Sequence, residues 1–237
     1  MSTNHNPADS PYYLRLFLAE LESGAKPKAE SRFPADKSSN SRPESVLARE
    51  LTARALESYL GHKPSPEELA CETRTPEGKP YFQDFPDFHY NISHSGRYVV
   101  CGVICGGKDP QPIGIDIQEI PTNPEKVLKI ADHFFSDEEK ESLHALVREG
   151  DISSALLLFC RYWTARESYI KLTGRGLAEP FSNYRPNLDH GRIITSELEK
   201  EVYLMECSAP EGYCVSVCSY VPLEPELRAN VKHFFTP

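Results

Sequence analysis

Apolar and polar residues alternate from Tyr12 to Leu21 (YYLRLFLAEL), the period-two pattern of an opening strand with one buried face. Glu22 to Ser41 breaks the pattern with a polar run of Pro, Ser and Lys, which reads as a long mobile loop. The period then changes. Leu47, Leu51, Ala55 and Tyr59 recur every fourth residue behind Pro43, which suits a first helical turn, so a helix is expected up to Gly61, with Arg49 and Arg54 off its apolar stripe. Pro66 to Cys71 is a short helical candidate, and Gly78-Lys79-Pro80 opens a stiff loop. A strand-like segment is followed by a tight turn at Ser93-His94-Ser95-Gly96 and then by a strand at Tyr98 to Cys105.

Further along, Ile113-Gly114-Ile115-Asp116-Ile117 is an apolar strand whose alternation turns Gly114 and Asp116 to one side and Ile115 and Ile117 to the other. Ser136-Asp137-Glu138-Glu139 forms a capping box behind Phe134 and Phe135 and predicts a helix to about Glu149. A second helix is expected from about Ser153 to Thr173, ended by Gly174, with Phe159, Trp163, Glu167 and Lys171 on one face. Gly212 to Cys218 echoes Gly96 to Cys105 in its Tyr/Val/Cys character, which hints at a duplicated unit and two halves meeting near Gly114 to Pro121.

The 237 residues suit one large domain or two of about 110–120, and no run approaches the eighteen or more apolar residues of a membrane span. The first residues lack the basic and apolar regions of a secretory signal, so a cytoplasmic location is expected. A net charge of −9 argues against a nucleic-acid partner. Seven cysteines is an odd number, with no CxxC and no Cys/His set, and they read as reduced core thiols.

Asp116 and Glu167 each set a carboxylate inside an apolar element, where an ionised acid needs a cation, hydrogen bonds or a metal. Taken singly, Asp116 also reads as a hydrogen-bonded strand-end aspartate, and Glu167 as an ion pair with Lys171 on a solvated face. Together they favour magnesium, which takes oxygen ligands and keeps room for water and phosphate. His94 between two serines, and Lys79 on its stiff loop, are candidates for holding an anion. His62, His133 and His144 have no such context.

The ordered set Gly78-Lys79-Pro80, Asn91 to Ser95, Gly114 to Ile117, and Trp163 through Arg166, Glu167, Ser168 and Lys171 resembles the 4'-phosphopantetheinyl transferases of the two-domain, surfactin-synthetase-activating type. The likeness is close over about residues 75–177. It implies an α+β fold of two similar, pseudo-twofold-related subdomains, residues 1–115 and 116–237, each a small antiparallel-rich sheet packed with helices, with the active site in the cleft between them. It also implies a holo-[acyl-carrier-protein] synthase type of activity: the phosphopantetheine arm of coenzyme A passes to a serine of an apo acyl or peptidyl carrier protein, leaving 3',5'-ADP. Under that resemblance Asp116, Glu167 and Gln118 hold Mg²⁺, Glu167 is the base, and Lys171 contacts phosphate. Lys79, Ser93 and His94 hold the nucleotide-side phosphates of coenzyme A, with Arg42 as a further contact.

Two residues depart from the pattern: Gln118 stands where a second acid is usual, and Arg166 where a lysine precedes the glutamate. Loss of the acid points to weaker magnesium binding, and Arg166 keeps a charge but not a lysine's geometry. A binding-only homologue and a magnesium-dependent phosphohydrolase are the alternative readings. Carriers of fatty-acid, polyketide and nonribosomal-peptide synthesis all present such a serine. Ile130, Phe134 and Phe135 offer an apolar docking patch, although the two phenylalanines equally suit a hydrophobic staple. Two halves in one chain would complete the site within a monomer.

Overall fold

The computed structural model describes residues 12–21, 42–176, 180–195, 200–225 and 233–234. The expected mobile loop at 22–41 lies outside them. In chain order the elements are β1 (Tyr12–Glu20), α1 (Pro43–Leu60), α2 (Pro66–Ala70), β2 (Glu72–Arg74), β3 (Pro80–Phe82), β4 (Tyr90–Ser95), β5 (Tyr98–Gly106), β6 (Ile113–Glu119), α3 (Pro124–Phe134), α4 (Asp137–Arg148), α5 (Ile152–Thr173), β7 (Tyr184–Asn187), β8 (Arg192–Thr195), β9 (Val202–Cys207), β10 (Tyr213–Ser219), β11 (Leu223–Pro225) and β12 (His233–Phe234). The fold is α+β, with antiparallel-rich sheets in two compact units.

The first unit runs to Ile113 and takes back β11 from the far end of the chain. A single cut after residue 115 would leave β11 in the second unit, yet its parallel pairing with β1 (Tyr12 opposite Leu223) places it in the first. The sheet order is β11-β1-β5-β4, with β12 also on β1. β1 and β5 are antiparallel over their whole length, from Tyr12 opposite Gly106 to Glu20 opposite Tyr98. The helix α1 begins with Pro43 in its first turn and ends on Gly61, whose φ of 77° is a left-handed cap that a residue without Cβ adopts without strain. Leu47, Leu51, Ala55 and Leu56 are its buried face; Tyr59, expected on that stripe, is half exposed and packs one ring face toward Phe88. The apolar stripe thus turns onto Leu56 in the last turns. Phe82, Phe88 and Tyr90 complete this core.

Strand β4 runs through Ser93, His94 and Ser95, where a turn was expected, and the turn itself is confined to Gly96 and Arg97 between β4 and β5. Alternation along β4 buries Ser93 and Ser95 and leaves His94 exposed on the other face.

The second unit, Gly114–Pro222, holds the sheet β6-β10-β9-β8-β7 and the helices α3, α4 and α5. Ser136 and Glu139 cap each other reciprocally at the start of α4, as the sequence predicts. α3 was not expected: Asn123 caps it and Pro124 fills its first turn, so the segment read as a docking patch is its last turn. Phe135 is core, while Ile130 and Phe134 are partly buried against the same cluster. The echoing strands β5 and β10 have the same place in their own sheets. Each lies between two neighbours and under the unit's longest helix, which is why both are apolar on both faces. All seven cysteines are free, and Cys101, Cys160, Cys214 and Cys218 are buried.

Candidate functional site

The chemistry of the second unit gathers where α5 crosses β6. A Cβ on Gly114 would lie 1.9 Å from Ser168 O and 2.4 Å from Leu172 N, so the helix backbone rests on the strand only because Gly114 has no side chain. Asp116, two residues on and so on the same face of β6, is buried at 5% exposure, and its Oδ1 accepts from Lys171 Nζ at 2.6 Å. Glu167 is one helical turn before Lys171 on the same face of α5 and is half-buried. Gln118, half-buried, follows Asp116 on the same face of β6. Asp116 and Lys171 thus form a charge pair whose carboxylate is shielded from water.

Arg166 faces the opposite way. Its side chain is wholly buried, with Nη1 donating to Phe181 O and Tyr184 O at 3.0 Å each and Nη2 donating to the Glu139 carboxylate. The guanidinium also lies 5.2 Å from the Phe135 ring centroid and 5.4 Å from that of Tyr184. Glu139 Oε2 accepts at the same time from Ser136 N at 2.8 Å, so one carboxylate oxygen caps α4 and ties it to α5. Adjacent helix positions are about 100° apart around the axis, and this turns Arg166 into the core while Glu167 reaches the flank. A point charge near phosphate, the role its place in the motif suggests, is therefore replaced by a structural anchor. The sequence signal for its partner was the capping box, which marked Glu139 as a cap but not as a counter-ion.

In the first unit, Lys79 follows the β2–β3 turn, where Gly78 N donates to Thr75 O at 2.9 Å and Lys79 N to Thr75 Oγ1 at 3.2 Å. Its Nζ donates to Ile113 O at 3.4 Å, and burial pushes the amine down to about 8. Burial also lowers His89, with the nearby Lys79 charge acting in the same direction and Asp87 opposing. Ser93 and His94 leave opposite faces of β4, so the side chains do not converge at a turn. Arg42 is exposed and precedes α1.

A family model described as the 4'-phosphopantetheinyl transferase superfamily matches residues 112–218, the span that carries β6, α5 and β10. Among curated proteins the chain is 38% identical to 4'-phosphopantetheinyl transferase Sfp of Bacillus subtilis (strain 168), over 63% of this chain and 62% of that one. It is 34% identical to 4'-phosphopantetheinyl transferase psf-1 of Bacillus pumilus (68% and 64%) and 38% identical to 4'-phosphopantetheinyl transferase gsp of Aneurinibacillus migulanus (60% and 55%). Over that span the chain matches the 4'-phosphopantetheinyl transferase superfamily. Its matches span less than two thirds of the length of these relatives.

The donor set of the second unit can be weighed for a metal by its own chemistry. Asp116, Glu167 and Gln118 offer oxygen donors alone, which suits a hard cation that keeps places for water and phosphate. Among the described residues no group of three or more His, Cys, Asp or Glu side chains stands together as a metal site. The donor chemistry fits Mg²⁺ shared with a phosphate ligand. A groove of about 840 Å³ in the same unit is lined by Phe134, Phe135, Phe181, Tyr184 and Arg185, and includes none of Asp116, Glu167 and Lys171. No helix among the described residues is long and apolar enough to cross a membrane.

Two outcomes follow from these charges. Glu139→Leu alone strands the buried guanidinium and lowers the unfolding free energy by about 3–5 kcal/mol, whereas adding Arg166→Met recovers much of the loss. Urea denaturation of the single and double variants measures this, and a double variant as unstable as the summed singles would contradict it. For Lys79, the folded amine titrates near 8 and the unfolded amine near 10.5, so the unfolded chain holds more protons between those values. Stability from this group therefore rises from pH 8 to 10. Lys79→Met should lack that rise, and equal pH slopes in the two proteins would count against the burial of a cation.

Proposed function

We propose that this protein transfers the 4'-phosphopantetheine group of coenzyme A to a serine of an apo carrier protein, yielding the holo carrier and 3',5'-ADP. The observation that carries the reading is the shielded Asp116–Lys171 pair with Glu167 one turn away, inside the span that matches the superfamily. The relatives bear the name of that activity. In the proposed reaction the carrier serine oxygen attacks the phosphorus bonded to the pantetheine arm, the bond from that phosphorus to the 3',5'-ADP oxygen breaks, and the serine proton passes to Glu167. Lys171, already 2.6 Å from Asp116, donates to the phosphate undergoing transfer and stays held in place by the aspartate.

Asp116, Glu167 and Gln118 would hold Mg²⁺, which when bound would neutralise charge on the pyrophosphate and on the leaving oxygen. Gln118 brings an amide oxygen where a carboxylate would add charge, so weaker metal binding is part of the proposal. Lys79, Ser93 and His94 are assigned to the nucleotide-side phosphates, with Arg42 as a further contact. Lys79 suits this role because an anionic ligand beside the amine favours its charged form and so opposes the effect of burial. The carrier is expected among those of fatty-acid, polyketide or nonribosomal-peptide synthesis, and the protein is expected to act in the cytoplasm as a monomer.

Intact-mass spectrometry of apo carrier proteins incubated with this protein, coenzyme A and Mg²⁺ tests the reading. The expected result is a gain of one phosphopantetheine on the carrier, reduced about a hundredfold or more in rate by Glu167→Gln as loss of a general base and metal ligand. Coenzyme A binding with no gain across several carrier types would contradict transfer and favour a binding-only homologue. Release of inorganic phosphate without carrier would instead favour a phosphohydrolase.

A further inference from the structure

The face of α5 turned to β10 carries a ladder of small side chains. Thr164 Oγ1 lies 2.8 Å from Ser216 Oγ, and Ser168 Oγ lies 3.1 Å from Cys218 Sγ. Four residues of helix advance about 6 Å and two of strand about 6.8 Å, so the rungs stay in step along both elements. The next rung toward the start of each element pairs Cys160 with Cys214, and the two thiols share a hydrogen bond. Cys160 Sγ also lies 3.5 Å from Gln118 O, which fixes its side chain over the β6–β10 edge. Neither thiol takes part in the proposed transfer.

We propose that Cys160 and Cys214 form a reversible redox site that closes to a disulfide in the presence of hydrogen peroxide or a comparable two-electron oxidant. Cys214 attacks the peroxide, an S–O bond forms as the O–O bond breaks, and water leaves. Cys160 then attacks the resulting sulfenic sulfur and expels a second water. The balance is two thiols and one peroxide to one disulfide and two waters, with both sulfurs oxidised and the peroxide reduced.

The order of the two steps follows from their surroundings. Cys160 is wholly buried on the helix, whereas Cys214 is at the margin of burial, with Arg161 close enough to favour its thiolate. The hydrogen bond from Cys160 is the main cause that holds the Cys214 thiol below its ordinary value; Arg161 acts the same way, while burial and the Glu206 carboxylate, itself paired with Arg161, oppose it. Closing the bond draws the sulfurs from hydrogen-bond contact to about 2.05 Å and ties α5 covalently to β10. Glu167 lies two turns along the same helix, so oxidation would fix the early turns of the element that presents it.

Peptide mapping of the whole protein tests this without reference to transferase activity. The protein is treated with one to a few equivalents of peroxide, unreacted thiols are blocked with maleimide, and the digest is read without reductant. The expected result is a linked peptide joining Cys160 to Cys214, reversed by dithiothreitol, with Tm raised by about 5 °C or more in the oxidised protein. Cys214→Ser should abolish the link and leave Cys160 free to maleimide after unfolding. A link from either residue to another cysteine, conversion of either to an irreversible oxyacid, or two free thiols after oxidation would overturn the proposal.

Discussion

The backbone of α5 lies against β6 because residue 114 has no side chain. Any Cβ there would sit within bonding distance of Ser168 O, and the helix would have to move off the strand to make room. The position of everything on the lower turns of α5 depends on this approach. With the helix seated, Lys171 reaches Asp116 across the same face of β6 and the pair closes at 2.6 Å. The charges then gain from their shielding, since each has a partner and neither is left to bear the cost of desolvation alone.

A close approach fixes distance but not rotation, and α5 has polar side chains on several faces. Thr164, Ser168 and Arg166 are all fully buried, an unusual load for one helix. Their partners lie on different elements: Thr164 and Ser168 meet β10, while Arg166 meets Glu139 on α4 and two carbonyls ahead of and within β7. A helix turned by even one position would break all of these at once. Glu167 is therefore aimed by its neighbours in sequence, with the buried ion pair on one side and the glycine contact on the other. A carboxylate that is to act on a bound group needs such fixed supports, because a misplacement of about an ångström costs much of its effect.

Much of this could be read from the chain. Pro43 and Gly61 bracket α1, Gly174 ends α5, and the capping box starts α4, because these are local signals whose physics is complete within one turn. Asp116 and Glu167 stood out because a carboxylate inside an apolar element is costly whether strand or helix carries it. What the chain concealed depends on contacts distant in sequence. The end of the strand Tyr90–Ser95 was masked by its polar residues, since its buried face carries Asn91, Ser93 and Ser95 in place of apolar side chains. Arg166 looked like part of the motif's charge, and only the aromatic rings and carbonyls around it reveal an interior anchor. The return of β11 to β1 was likewise invisible, as a parallel partner more than two hundred residues away leaves no local trace.

The most direct test of the account is a double-mutant cycle between Asp116 and Lys171, measured by urea denaturation in the parent protein and again with Gly114→Ala. The expected result is a coupling of about 1 kcal/mol or more in the parent, largely lost when the alanine lifts the helix from the strand. A coupling that survives Gly114→Ala unchanged would mean that the glycine contact does not set the charge pair, and would contradict the account.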